Sequence, residues 1–232
     1  MKRKAFFLFA FIIILISASA FAGDIAQFKN LGFSNDSQYF MFGQFGIDAA
    51  TDKPFAEIYI IDVAKNTFTQ GGKESDSFSE IPEPGNDGSG GLFILLEKNY
   101  TTIKKYNINH LKNGRIVYVL IDGNKPEPYL EFRDFNTGSL YSISLKQSSS
   151  GTGLSVSSSF SITVTVTPKT GPKSTYTIGH PDYKRKGVKD YRIKYILLAP
   201  DGKSLIFVIE KTIADAKGES IRYMVETHKI NG

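Results

Sequence analysis

The densest group of charged side chains that can bind a ligand is a basic run near residue 180. Lys184, Arg185 and Lys186 are consecutive, and His180 precedes this run by four positions. Adjacent cations attract anionic groups such as a phosphate, an acidic glycan or a lipid headgroup. The same run is also typical of a solvated loop whose charges keep a flanking edge strand from pairing with another chain. The pattern therefore predicts an anion or partner contact at these four residues, with a solvated loop as the alternative.

Motifs that perform catalysis or hold a cofactor are absent from the sequence. It contains no Gly-x-Ser-x-Gly elbow, no His-Glu-x-x-His zinc motif, no phosphate-binding glycine loop and no Rossmann fingerprint. His110, His180 and His228 lack the spacing of metal ligands, and the absence of Cys excludes thiolate metal sites and disulfides. We predict no catalytic residue, no cofactor and no metal. Because a Ser-His-Asp triad can assemble from distant segments, an envelope hydrolase is the alternative function.

The N-terminus has the pattern of an export signal. Three consecutive cations at 2–4 precede an apolar run at 5–16, and Ala20 and Ala22 place small residues where a signal peptidase requires them. This predicts a signal peptide at 1–22 and a periplasmic or secreted protein. An uncleaved anchor is the alternative, since the segment is just long enough to cross a bilayer. We predict no transmembrane span after cleavage.

Cleavage would remove most of the basic character of the chain. The full sequence has 28 Lys and Arg against 23 Asp and Glu, which gives a formal charge of +5. The predicted signal peptide holds three of these cations, so the predicted domain at 23–232 keeps 25 cations against 23 carboxylates, or +2. A charge this small does not favour nucleic acid as a partner, because phosphate contacts require many cations. A single β-rich domain is predicted for this range.

Alternation of apolar and polar residues predicts a mainly β protein. Between 154 and 167 the even positions are almost all apolar and the odd positions are Ser or Thr, which is typical of a half-exposed strand. The segment at 92–109 instead has apolar residues near helical spacing, which predicts one amphipathic helix or two short ones. The fold class that follows is mainly β, either irregular β-propeller-like or sheet-packed, with one helical insertion near 92–109. Further strands are predicted at 115–121, 129–134, 139–145, 174–178 and 191–198.

Aromatic residues are concentrated near residue 40. Phe40 and Phe42 lie on one face of a predicted strand, whereas Tyr39 and Met41 lie on the other. Apolar side chains on both faces predict a strand that is covered on both sides, with one side open to a ligand as the alternative.

Two segments resemble each other and form repeat-like units at 31–63 and 196–227. Each unit has an apolar strand, a short turn that contains Asp, and a second apolar strand. The turn of the second unit has Gly202 where the first has Ser37, which predicts a more strained or differently shaped first turn. The strand, Pro-Asp-Gly-Lys, strand pattern of the second unit resembles the repeat of TolB-type β-propellers.

The opening and closing parts of the predicted domain also resemble a known family. Six short segments are similar to an uncharacterised family of predicted secreted bacterial proteins: 30–34, 39–46, 55–59, 186–188, 191–193 and 200–202. The resemblance implies export and a shared fold, and it implies no catalytic residue. We expect an exported, non-catalytic β-domain that binds a protein or an envelope component, with loops at one end of its sheets as a candidate surface.

Overall fold

Antiparallel strands dominate a computed structural model that describes residues 23–216 and 218–230. Within these residues fourteen strands form three antiparallel sheets, and two short helices lie between the fourth and fifth strands. The prediction of a mainly β fold is therefore confirmed. The predicted signal peptide at 1–22 lies outside the described residues, and the single domain at 23–232 stays a prediction.

The first sheet contains the N-terminal strands in the order β4-β3-β2-β1-β5. Its members are β1 (Gln27–Ser34), β2 (Tyr39–Asp48), β3 (Lys53–Asp62), β4 (Thr67–Ser77) and β5 (Ile108–Asn109). The helices α1 (Ser89–Lys98) and α2 (Tyr100–Lys105) connect β4 to β5.

The other two sheets share the rest of the chain. The middle sheet, in the order β14-β13-β12-β6, consists of β6 (Arg115–Val119), β12 (Val188–Leu198), β13 (Ser204–Asp215) and β14 (Gly218–Lys229). The third sheet, in the order β10-β9-β8-β7, consists of β7 (Tyr129–Arg133), β8 (Leu140–Ser150), β9 (Ser157–Thr167) and β10 (Ser174–Gly179), and β11 (Arg185–Lys186) pairs with β9.

The sheets stack as layers, with the middle sheet buried on both faces. Along β13, Ile206 and Val208 pack against the first sheet, whereas Phe207 and Ile209 pack against the third. The strand is therefore a continuous apolar run, as expected for a strand between two layers. Two separate cores result, one on each side of the middle sheet.

The helices cover the outer face of the first sheet. Leu92 and Leu95 of α1 pack with Met41 of β2, whereas Phe40 of the same strand faces the middle sheet. The prediction that β2 is covered on both sides is confirmed. The helical insertion is also confirmed as two short helices, but 108–109 form β5 instead of helix. Asn107 has a φ of 52°, a left-handed conformation that ends a helix.

The two repeat-like units are both three-stranded antiparallel meanders. Strands β1 to β3 form the first and β12 to β14 form the second. Their first turns share one geometry, since φ is 62° at Ser37 and 71° at Gly202, and the predicted strain falls on Ser37 because it carries a side chain. A propeller needs at least four blades, whereas the described residues form three stacked sheets. The resemblance to TolB-type propellers is not confirmed.

The Ser-rich segment forms a strand that is shorter than predicted. β9 begins at Ser157 and keeps the expected alternation, with Ile162 and Val164 fully buried. Residues 153–155 form a 3-10 turn instead of strand, and Leu154 is exposed there. Gly151 and Gly153 both have positive φ, which turns the chain between β8 and β9.

Candidate functional site

The site is a groove along β14, the edge strand of the middle sheet. Side chains from the first sheet bond the outward backbone groups of this strand in place of a further strand. The Gln44 amide accepts from the Tyr223 N–H at 2.7 Å and donates to the Tyr223 carbonyl at 3.4 Å. Asn66 Oδ1 accepts from the Thr227 N–H at 2.8 Å. At these two positions, side-chain amides form the hydrogen bonds that the backbone of a neighbouring strand would otherwise form.

Val225 lies between these two positions. Its N–H and C=O point outward with those of Tyr223 and Thr227, because backbone groups alternate along a strand with a period of two residues. No described residue hydrogen-bonds either outward group of Val225. A cavity of about 170 Å³ opens here between the three sheets. Its lining residues are Ile61, Asn66, Thr67, Phe68, His180, Arg185, Met224, Val225 and Glu226.

Arg185 is the main cation of the groove. Its guanidinium carbon lies 5.4 Å from the ring centre of Phe160 and 5.2 Å from that of Tyr183. The side chain is only 19% exposed, and the buried Nη1 has no hydrogen-bond partner among the described residues. Nη2 lies 3.8 Å from Glu226 Oε1, which is beyond hydrogen-bond distance. Arg185 is thus held by aromatic rings with donors left unpaired.

Glu226 is fixed by a different residue and does not satisfy Arg185. Its other oxygen, Oε2, accepts a hydrogen bond of 2.5 Å from Asn66 Nδ2, and its side chain is 5% exposed. The carboxylate therefore points toward Asn66, and its attraction to Arg185 acts across 3.8 Å. This arrangement keeps the charge of Arg185 partly balanced but leaves its hydrogen-bonding capacity free.

The structure places the four predicted contact residues in two different settings. His180 and Arg185 both line the groove. Lys184 donates to Ser150 Oγ at 2.9 Å on the surface, and Lys186 is exposed. The predicted contact therefore separates into two groove residues and two exposed lysines.

Comparison with known families decides what the chain is related to. A family model described as "Predicted secreted protein (DUF2259)" matches residues 41–229. The chain belongs to this family. The match includes the groove residues Asn66, His180, Arg185 and Glu226, so the site lies within the family region. No curated protein matches the chain.

The three histidines of this family member lie in separate surroundings. Within the described ranges, no His is hydrogen-bonded to a Ser or a carboxylate. His110 Nδ1 contacts the Leu31 carbonyl at 2.7 Å, and the His228 ring packs against Tyr176 in a tilted arrangement with ring centres 4.5 Å apart. Burial lowers the pKa of His228. No group of three His, Asp or Glu in the described part of the chain is arranged to hold a metal ion.

A second cavity, of about 280 Å³, lies beside the start of α1. Its charged lining residues are the carboxylates Glu80 and Asp87, and no Lys, Arg or His is among the described residues that line it. Among residues 23–216 and 218–230, none of the helices is long and apolar enough to cross a membrane.

Proposed function

We propose that this protein is an exported, non-catalytic binding domain of the periplasm, and that its β14 groove holds an anionic group of a protein or an envelope component. The observation that carries the proposal is Arg185, which lines the groove and whose buried Nη1 has no hydrogen-bond partner among the described residues. Burying a charged donor without hydrogen bonds is costly, and a structural role would normally supply partners.

A carboxylate fits this guanidinium better than a neutral group does. The planar edge of Arg can donate two parallel hydrogen bonds to a carboxylate, which gives both strength and geometric selection. Phe160 and Tyr183 hold the guanidinium in place by cation–π contact, so little side-chain entropy is lost on binding. Arg185 is therefore preorganised for a planar anion.

The backbone of Val225 adds a second requirement. Two residues earlier, one amide group, that of Gln44, pairs with both the N–H and the C=O of Tyr223. An amide of a ligand would pair with Val225 in the same way, because its outward groups have the same orientation. Val225 and Arg185 line one cavity. The ligand class that satisfies both is a peptide with a free terminal carboxylate.

A titration followed by NMR tests this assignment. N-acetyl-alanyl-alanine, with its free carboxylate, should shift the amide signals of Val225 and its neighbours, whereas the C-terminal amide of the same dipeptide should bind at least tenfold more weakly. Arg185→Lys keeps the charge but loses the planar fork, so it should weaken binding of the acid by a similar factor.

Lys186→Gln is the matched control, since it removes a neighbouring cation that is exposed to solvent. This variant should bind the acid as the wild-type protein does. Equal shifts with the acid and the amide, or equal weakening in Lys186→Gln and Arg185→Lys, would contradict the role of Arg185. An unshifted Val225 signal would contradict the backbone contact.

A further inference from the structure

One end of the sheet stack is formed by turns from all three sheets, and we call this end the turn face. It comprises the turns at 35–38, 109–114, 134–138, 168–173 and 199–203. Contacts between layers bring these turns to the same end: the Phe33 N–H donates to the Lys112 carbonyl at 2.8 Å, and Arg115 bonds Asp134. A cavity of about 360 Å³ is lined by Thr137, Gly171 and Gly202, one residue from each of three turns.

Two large apolar side chains project from the turn face into solvent. Phe135 is 95% exposed and Leu111 is 91% exposed, which are the highest values among the large apolar side chains of the described residues. Neither side chain is covered by the fold, although burying either one would be favourable. Single exposed apolar residues are common on soluble proteins, so exposure alone does not define a partner.

The turns hold these apolar tips rigidly outward. Asp134 accepts hydrogen bonds from Thr137 Oγ1 at 2.7 Å and from the Asn136 N–H at 3.2 Å, and the Gly138 N–H donates to the Asp134 carbonyl at 2.7 Å. Phe135 lies inside this closed turn. Because the backbone on each side is fixed, the Cα–Cβ bond of Phe135 has a defined direction toward solvent.

The turn of Leu111 is fixed in a similar way. The Leu111 N–H donates to Asn109 Oδ1 at 3.0 Å, and the Lys112 N–H donates to the Asn109 carbonyl at 2.9 Å. Lys112 Nζ also bonds the Asn35 carbonyl at 2.8 Å, which ties this turn to the next. The backbone of both turns is therefore preorganised, so little backbone ordering entropy is lost when a partner arrives.

The same end of the stack carries exposed cations, together with the exposed carboxylates of Asp36 and Asp201. Lys169, Lys173, Lys203 and Lys229 are exposed, and none forms an ion pair within the described part of the chain. The turn at 168–173 contains two of these lysines, two prolines and no carboxylate. The aliphatic part of the Lys169 side chain lies against Gly138, which belongs to the same turn as Phe135. The four lysines outnumber the exposed Asp36 and Asp201, so this end combines apolar side chains with an excess of positive charge, which matches a surface with anionic headgroups over an apolar interior.

We propose that the turn face docks on the surface of an anionic lipid bilayer, with Leu111 and Phe135 inserted at the boundary between headgroups and acyl chains. Membrane-surface binding combines buried apolar area with attraction between cations and anionic headgroups, and the turn face supplies both. This surface does not involve the groove, so the inference is independent of the ligand proposed there.

Vesicle co-sedimentation tests this inference. The protein without its predicted signal peptide should bind vesicles of phosphatidylglycerol and phosphatidylcholine, and binding to phosphatidylcholine alone should be much weaker. Leu111→Ser and Phe135→Ser should each weaken binding about tenfold. Lys169→Gln and Lys173→Gln should each weaken it about fivefold and reduce its sensitivity to salt.

Leu154→Ser and Lys53→Gln are matched controls at the opposite end of the stack, where both side chains are also exposed. They should bind vesicles as the wild-type protein does. Failure of the wild-type protein to bind anionic vesicles would overturn the inference. Equal loss in Leu154→Ser and Phe135→Ser would do so too, since it would indicate non-specific adhesion. Binding of a protein partner that requires Leu111 and Phe135, without vesicle binding, would assign the surface to that partner instead.

Discussion

Replacing Asp134 with Asn tests the pair that joins the middle sheet to the third sheet. The Asp134 side chain is 1% exposed and accepts from two nitrogens of Arg115, at 2.7 and 2.9 Å. It also accepts from Thr137 Oγ1 at 2.7 Å. Asn has nearly the same shape, but its amide group faces the Arg115 donors with a donor of its own. One strong interaction is thereby replaced by a repulsive contact.

The expected loss follows from the burial of the two partners. Removing one member of a buried ion pair costs about 3–5 kcal/mol, and hydrogen bonds to charged groups contribute about 1.5–3 kcal/mol each. Arg115 is 39% exposed, so water can replace part of what Asp134 supplied. We therefore expect Asp134→Asn to lower the free energy of unfolding by about 2–3 kcal/mol. For a chain of this size the Tm would fall by about 5–10 °C.

The loss should depend on pH in a defined direction. Hydrogen bonds from Arg115 hold the pKa of Asp134 well below its ordinary value. Because the pKa in the folded state is lower than in the unfolded state, this stabilisation is fully present above about pH 5. It is lost as the pH falls through the folded-state pKa. The difference between the wild-type protein and Asp134→Asn should therefore shrink as the solution is acidified below about pH 4.

Urea unfolding followed by far-UV circular dichroism at pH 7 and pH 3 measures both effects. Asp76→Asn is the control, because the Lys98–Asp76 pair is exposed at 56% and 35%, and ion pairs exposed to water contribute little to stability. A loss for Asp134→Asn no larger than that control would refute the reasoning. An unchanged difference between the two pH values would refute the assigned cause of the pKa shift.

Four further substitutions test the turns, the edge of β14 and the half-buried His228. Ser37→Gly should raise the free energy of unfolding by about 0.5 kcal/mol in urea titrations, since it relieves a φ of 62°, and Gly202→Ser should lower it by about 1 kcal/mol. Gln44→Ala should lower it by about 2–4 kcal/mol, because the backbone of Tyr223 loses both partners; a smaller loss than Gly202→Ser would contradict this. Burial lowers the folded-state pKa of His228, so stability should fall between pH 7.5 and 5.5, and His228→Gln should flatten that dependence.

Local patterns predicted the strands whose two faces are chemically distinct or uniformly apolar. Phe40 and Met41 showed β2 to be covered on both sides, and the alternation at 160–166 predicted most of β9. β4 gave no such pattern, because Thr67–Ser77 is mostly polar and contains Gly71 and Gly72. It pairs with the edge of β3 in antiparallel register, from Phe55 opposite Ser77 to Asp62 opposite Thr67. A strand that is held mainly by pairing with its neighbour carries no alternating apolar pattern in its own sequence.

The groove could be predicted only in part, since its residues come from three sheets. The basic run indicated Arg185, and proximity in the sequence indicated His180. Glu226 and Asn66 were not predicted, because they are 160 positions apart and meet only when the first and middle sheets stack. The polar side chain of Gln44 on an otherwise apolar strand was a usable signal. A buried amide requires partners, and here those partners are the backbone of an edge strand.

The groove and the turn face lie near each other along β14. β14 runs from the groove at Val225 to the turn face at Lys229, a separation of four residues or about 13 Å along a strand. Asn66, which closes one side of the groove, also lies in the turn between β3 and β4 at that end. On both proposals, a protein docked through Leu111 and Phe135 would hold its groove about 13 Å along β14 from the membrane-facing end of the stack. Such docking would favour a carboxylate on a membrane-attached peptide, whereas a freely diffusing ligand would gain nothing from it.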